Sequence, residues 1–203
     1  MDKAKQYRAI GDDIWVNRTL KINAELLALT YGSIVGQLTR EYKNDVAKIN
    51  EKLRVMGYNI GVRLVEDFYA RSAMGRCRTI EETGLVLTQV AFKMFLNVTP
   101  QIQVINETEL HIFMNENPLS AFVELPPFGE DEADHDKSVD GSGKKSQLWY
   151  SNILCGVIKG ALEQVAIDCE VEFVRDVLLG DNTTELRISG FKFLKDEVPA
   201  GED

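Results

Sequence analysis

Pro100-Gln101-Ile102-Gln103-Val104-Ile105-Asn106-Glu107-Thr108-Glu109-Leu110-His111-Ile112-Phe113-Met114 is where the hydrophobic period changes from about four to two. Two alternating runs, Gln101 to Asn106 and Glu109 to Met114, flank a two-residue connection, which predicts a short β-hairpin. Upstream the pattern is helical. A first helix is predicted over about Trp15 to Tyr42, where Leu27, Tyr31, Ile34, Val35, Leu38 and Tyr42 share a face. A second covers Val46 to Met56 and stops at Gly57; a third runs from about Asn59 to Arg71, with Ile60, Leu64 and Phe68 in register. Thr79 opens a fourth, with Glu82 completing a capping box, and Val86, Val90 and Met94 carry its apolar face to Asn97.

Downstream of the hairpin, Asn117-Pro118 ends the extended pattern. The stretch from Pro127 to Ser146 gathers acids, then Gly and Ser, then lysines, a composition that buries no core and is expected to be a disordered loop. A long helix is expected over about Leu148 to Ile167. Two strands follow, about Cys169 to Leu178 and Thr184 to Leu194, joined by a turn at Gly180-Asp181-Asn182. Helices, hairpin, helix, hairpin is the order of an α+β domain: helices packed on one face of a small twisted antiparallel four-stranded sheet. The 203 residues suit a single domain over 1–203 with a flexible tail at 196–203.

Composition narrows the function. Hydrophobic residues make up 44% and charged residues 27%, ordinary globular values. A formal net charge of -9 repels nucleic-acid phosphates, so no nucleic-acid partner is expected. No apolar run is long enough to span a bilayer, and the N-terminal charges precede no apolar stretch, so no secretory signal is expected. The three cysteines, Cys77, Cys155 and Cys169, are odd in number and widely spaced, which fits a reduced, cytosolic compartment; the Asn-x-Ser/Thr matches at Asn17, Asn97, Asn106 and Asn182 are then chance.

Few residues carry chemistry. Cys77 lies between Arg76 and Arg78, whose charges are expected to favour the thiolate. A thiol enzyme wants a histidine base, and the two histidines fall in a strand (His111) and in the loop (His135), so no catalytic pair and no metal site are expected. Gly141 to Ser146 resembles a phosphate-binding loop only superficially: Ser138 stands where a Gly is needed, and Gly143-Lys144 is followed by Lys145. Arg63 with Glu66 and Asp67 has ion-pair spacing on one helix face. The glycines inside helices say more. Gly32 with Gly36, and Gly156 with Gly160, each cost about 1 kcal/mol relative to Ala, which close helix packing, or an apolar groove or tunnel, must offset.

Longer strings carry a resemblance. Leu29-Thr30-Tyr31-Gly32-Ser33-Ile34-Val35, Met56-Gly57-Tyr58-Asn59-Ile60-Gly61-Val62-Arg63-Leu64-Val65-Glu66-Asp67-Phe68, Gly75-Arg76-Cys77, Ala91-Phe92-Lys93-Met94-Phe95-Leu96, Asn117-Pro118-Leu119, Phe122-Val123-Glu124-Leu125-Pro126, Trp149-Tyr150-Ser151-Asn152-Ile153-Leu154-Cys155-Gly156 and the C-terminal Val198-Pro199-Ala200-Gly201-Glu202-Asp203 resemble, in order, the bet-three family of transport protein particle (TRAPP) subunits, fungal members most closely. The resemblance implies a non-catalytic scaffold of a guanine-nucleotide exchange assembly. Its expected partners are other small TRAPP subunits, a Ypt/Rab-type GTPase and, for the chain alone, a second copy. It implies peripheral association with cis-Golgi and endoplasmic reticulum membranes. It implies a palmitoyl chain on Cys77 in a buried apolar tunnel and no other cofactor. The tail Val198, Pro199, Ala200, Gly201, Glu202 and Asp203 is implied to reach the GTPase. Two departures stand out: the Pro127 to Ser146 stretch is longer than usual, and Tyr69 replaces an aliphatic residue. The alternative is a lipid-handling protein that carries acyl chains as cargo.

Overall fold

The computed structural model describes residues 3–125 and 147–194. The expected loop at 127–146 and tail at 196–203, with its six GTPase-directed residues, lie outside the described residues. Within them the helices α1 (Lys3–Asn17), α2 (Ala24–Glu41), α3 (Val46–Ser72), α4 (Ile80–Leu85), α5 (Phe92–Leu96) and α6 (Ile153–Glu163) pack with the strands β1 (Gln101–Asn106), β2 (Glu109–Met114), β3 (Ile167–Arg175) and β4 (Thr184–Phe193). The sheet is antiparallel in the order β1-β2-β4-β3. The α+β architecture is the expected one.

The hairpin stands where the change of period places it. Its register sets Ile102 opposite Ile112 and Val104 opposite Leu110. Leu110, Ile112 and Met114 of β2 point inward with Leu186 and Ile188 of β4 and Val171 of β3, and all are buried. Period-two alternation thus builds one apolar face, and the helices cover it.

The helix boundaries needed tertiary information. The expected helix over Trp15 to Tyr42 is two: α1 ends at Asn17, and Asn23 caps α2 by accepting a hydrogen bond from the Leu26 amide at 2.9 Å. The expected break at Gly57 does not occur, because α3 runs unbroken from Val46 to Ser72 and ends at Ala73, which turns left-handed with φ 52°. Gly57 and Gly61 instead face Gly156 and Gly160 of α6. A Cβ on Gly57 would overlap the Ile153 carbonyl oxygen, and one on Gly156 would overlap the Arg54 carbonyl and stand 2.7 Å from the Tyr58 nitrogen. The glycines are helical residues that let two backbones touch. The helix expected over Leu148 to Ile167 begins later, at Ile153, and ends at Glu163, with Ala166 left-handed before β3.

Thr79 caps α4 as expected, accepting from the Glu82 amide at 3.1 Å. Between α4 and α5 the chain widens into a π-helical stretch, Val86–Ala91, while remaining right-handed helical at both junctions. On α3, Asp67 pairs with Arg71 at 2.8 Å rather than with Arg63 as its spacing had implied.

Candidate functional site

The helices do not fill the space they enclose. An apolar cavity of about 490 Å³ lies between α2, α3, the α4–α5 rod and α6. Ile34 of α2, Ile60 and Leu64 of α3, Leu87 and Phe95 of the rod, and Val157 of α6 contribute to its walls. Protein interiors rarely hold voids larger than a water molecule, and this volume falls in the range of ligand sites, roughly 300–1,000 Å³. The lining is almost wholly hydrocarbon, so the cavity favours a ligand that is itself largely apolar.

Cys77 belongs to that wall, with Arg76 beside it and Thr83 and Tyr69 nearby. The expected activation by arginines is not what the site provides. Burial pushes the thiol above its ordinary range, and the Glu82 carboxylate adds to the effect; the Thr83 hydroxyl, in hydrogen-bonding reach, works the other way. Cys77 is a partly buried thiol at the edge of an apolar space, less readily ionised than a free one. Tyr69, the departure noted in the sequence, also lines the cavity, and its ring packs edge-on against Phe68 at 5.4 Å between centroids.

The other cysteines are core residues. Cys155 and Cys169 are buried at 0% and 3% exposure, and burial raises both thiols, that of Cys169 to about 12. His111 is held by carboxylates, Glu185 at 2.5 Å and Glu109 at 3.1 Å. Burial acts to lower its pKa, but the two carboxylates outweigh it and the net shift is upward. Among the described residues no group of His, Cys, Asp and Glu is arranged to hold a metal ion.

The helix glycines divide. Gly156 and Gly160 serve close packing. Gly32 and Gly36 of α2 instead lie along a groove at the surface, with Phe122, Val123 and Tyr150 on its other side, and a Cβ on Gly36 would meet nothing within 4 Å. Tyr31 and Val35 are buried in the chain's own core, as is Phe68 of α3, whereas Leu26 and Leu29, with Leu20 and Ile22 just before α2, are exposed.

Sequence reasoning missed α1. Tyr7, Ile10 and Ile14 repeat at three and four residues, a helical signal in a stretch read only for the absence of a secretory leader. It also assigned Glu82 only half of its role. One carboxylate oxygen accepts from the Arg78 amide at 2.7 Å, one residue before the cap, and the other accepts from the Tyr7 hydroxyl at 2.9 Å.

Comparison with known proteins agrees with this geometry. Residues 27–189 match the model of the family described as transport protein particle (TRAPP) component. The chain is 49% identical over 203 residues to the trafficking protein particle complex subunit BET3 of Saccharomyces cerevisiae, covering 99% of this chain and 97% of that one. It is 42% identical to transport protein particle subunit bet3 of Schizosaccharomyces pombe over the full length of both, and 42% identical to trafficking protein particle complex subunit 3 of Dictyostelium discoideum, covering 98% of this chain and all of that one. A crystal structure of trafficking protein particle complex subunit 3 from Naegleria fowleri, covalently bound to palmitic acid, superposes with a TM-score of 0.73 at 41% identity, covering 87% of this chain and all of that one.

Proposed function

The chain belongs to the TRAPP component family, and from that premise we propose that it is a core scaffold subunit of a TRAPP vesicle-tethering complex that carries a palmitoyl chain on Cys77. The observation that carries the acyl reading is the placement of Cys77 on the wall of an apolar cavity of about 490 Å³. The covalent palmitate of the Naegleria relative supports it. The chemistry is acyl transfer. The Cys77 sulfur attacks the carbonyl of a long-chain acyl-coenzyme A, the bond from that carbonyl to the coenzyme's sulfur breaks, and the coenzyme leaves as a thiol with the proton from Cys77. A raised thiol pKa slows its attack on acyl donors met from free solution. Binding the chain first supplies the effective concentration that compensates. Each buried methylene stabilises by about 0.8 kcal/mol, so a palmitoyl chain stabilises the fold by several kcal/mol after ordering losses.

As a scaffold the chain pairs through its exposed α2 side with other small TRAPP subunits, or alone with a second copy, and light scattering at micromolar concentration reads that state. The assembly acts peripherally on endoplasmic reticulum and cis-Golgi membranes and promotes nucleotide exchange on a Ypt/Rab GTPase. The relatives' names as complex subunits support a non-catalytic role. The tail from Val198 to Asp203 reaches the GTPase, where Glu202 and Asp203 compete with the nucleotide phosphates for positive groups. Removing those residues is expected to slow nucleotide release by the reconstituted complex while assembly survives; unchanged release would reject this role.

Intact mass tests the acyl reading. Protein exposed to palmitoyl-coenzyme A is expected to gain one palmitoyl increment that hydroxylamine removes and that Cys77→Ser never acquires. An increment that persists in Cys77→Ser would reject it. Rapid exchange with free lipid would instead favour the cargo alternative.

A further inference from the structure

Helix α1 packs beside the end of the cavity that holds Cys77, although none of its residues lines the cavity. Tyr7, Ile10 and Ile14 pack into the same apolar cluster as Phe68, Tyr69, Val86 and Cys77, and the last four also line the cavity. The Tyr7 hydroxyl donates to one Glu82 oxygen, while the other Glu82 oxygen accepts from the amide of Arg78, the residue after Cys77. One carboxylate therefore ties the helix to the turn that carries the thiol. Tyr7 is close enough to both that its own ionisation is pushed up to about 12, by burial first and then by Glu82, with Cys77 adding to it.

The rest of α1 is fastened without bulk. Gly11 rests on the π-helical stretch, where a Cβ would overlap the Gln89 carbonyl oxygen and stand 3.3 Å from the Lys93 Cβ. Asp12 pairs with Lys93 at 3.3 Å, and Arg18 and Arg71 each donate to the other's backbone carbonyl, at 3.2 and 3.0 Å. A helix held by a small cluster and a few partly exposed polar ties opens at lower free energy than the core does.

We propose that α1 is a strap over the Cys77 end of the cavity, and that Tyr7 and Glu82 are positioning residues that hold it shut. Closed, it shields the thiol, and any thioester formed there, from water and soluble nucleophiles. Opening it limits loading and release at that end. The consequence for a thioester rests on the acylation reading above; the strap itself does not, because it acts equally on the free thiol.

The experiment uses the full-length, hydroxylamine-treated protein and an aromatic disulfide as thiol probe under native conditions. Cys155 and Cys169 are buried and stay silent, so one thiol reacts and Cys77→Ser abolishes the signal. Losing a hydrogen bond to a charged group is expected to speed the reaction about ten-fold in Tyr7→Phe, and Gly11→Leu by at least as much, with the stoichiometry still one thiol. The pH profile of the rate should move to lower pH in both variants, since burial is the first cause of the raised thiol. Palmitoyl-loaded variants should lose their chain to hydroxylamine faster by a similar factor. If Gly11→Leu fails to fold, Tyr7→Phe decides alone. Rates and pH profiles equal to the parent's, or acceleration only with all three thiols reacting, would overturn the strap. Faster thiol reaction in protein that never takes up an acyl chain would uphold the strap and overturn the acylation reading.

Discussion

Helix α3 takes part in two contrasting regions. Against α6, at Gly57 and Gly61, it approaches until the backbones meet with no side chain between them. Toward α2 and the α4–α5 rod, the same helix holds Ile60 and Leu64 to a cavity of about 490 Å³. The helix α6 does likewise, presenting Gly156 and Gly160 to the seam and Val157 and Ala161 to the cavity. Helices spaced by glycines at one contact make a rigid frame, and such a frame can hold a hollow open without collapse. A core closes around a missing volume only as far as its helices can move. Here the seam restrains that movement.

The largest effect is expected where the seam is broken. Gly57→Ala places a methyl group inside the Ile153 carbonyl, and relief requires α3 and α6 to part. A loss of about 3 kcal/mol or more is expected, measured by denaturant unfolding. A loss below about 0.5 kcal/mol, the scale of ordinary surface changes, would mean that the seam is no frame.

A smaller effect of opposite sign is expected from adding more carbon on the hollow side. Ala91 sits in the π-helical stretch and lines the cavity. Ala91→Leu should be neutral or stabilise by about 1–2 kcal/mol through buried hydrocarbon, while palmitoyl uptake falls, read by intact mass. Destabilisation as severe as that of Gly57→Ala would erase the distinction between the two regions.

The smallest effect is expected from the same glycine change made outside both regions. Gly36 has open space around its missing Cβ. Gly36→Ala should stabilise the helix by up to about 1 kcal/mol in thermal unfolding. A loss there would place Gly36 against something other than solvent.

The contrast between seam and hollow also marks where sequence reasoning stops. The hairpin, the two later strands and the Thr79 cap were legible because each rests on neighbours within a few residues: period-two alternation, a two-residue turn, a hydroxyl three positions from its amide. Gly57 was misread as a helix end for the same reason. Local propensity counts a glycine as a break, and only the backbone of α6, almost a hundred residues later, turns it into a contact. The thiol of Cys77 was misjudged in a similar way. Flanking arginines are visible in the chain, but burial, the larger influence, is not.

The α+β class, the alternating strands and the membership strings around Gly57 and Cys77 were readable from the chain alone, since local periodicity and residue identity are written along it. Tertiary structure alone decided that four glycines form one seam, that Cys77 stands on a cavity wall and that Tyr7 of an overlooked helix reaches Glu82. A cavity is the space that several distant segments fail to fill, so no single segment encodes it; it exists only once the segments have packed.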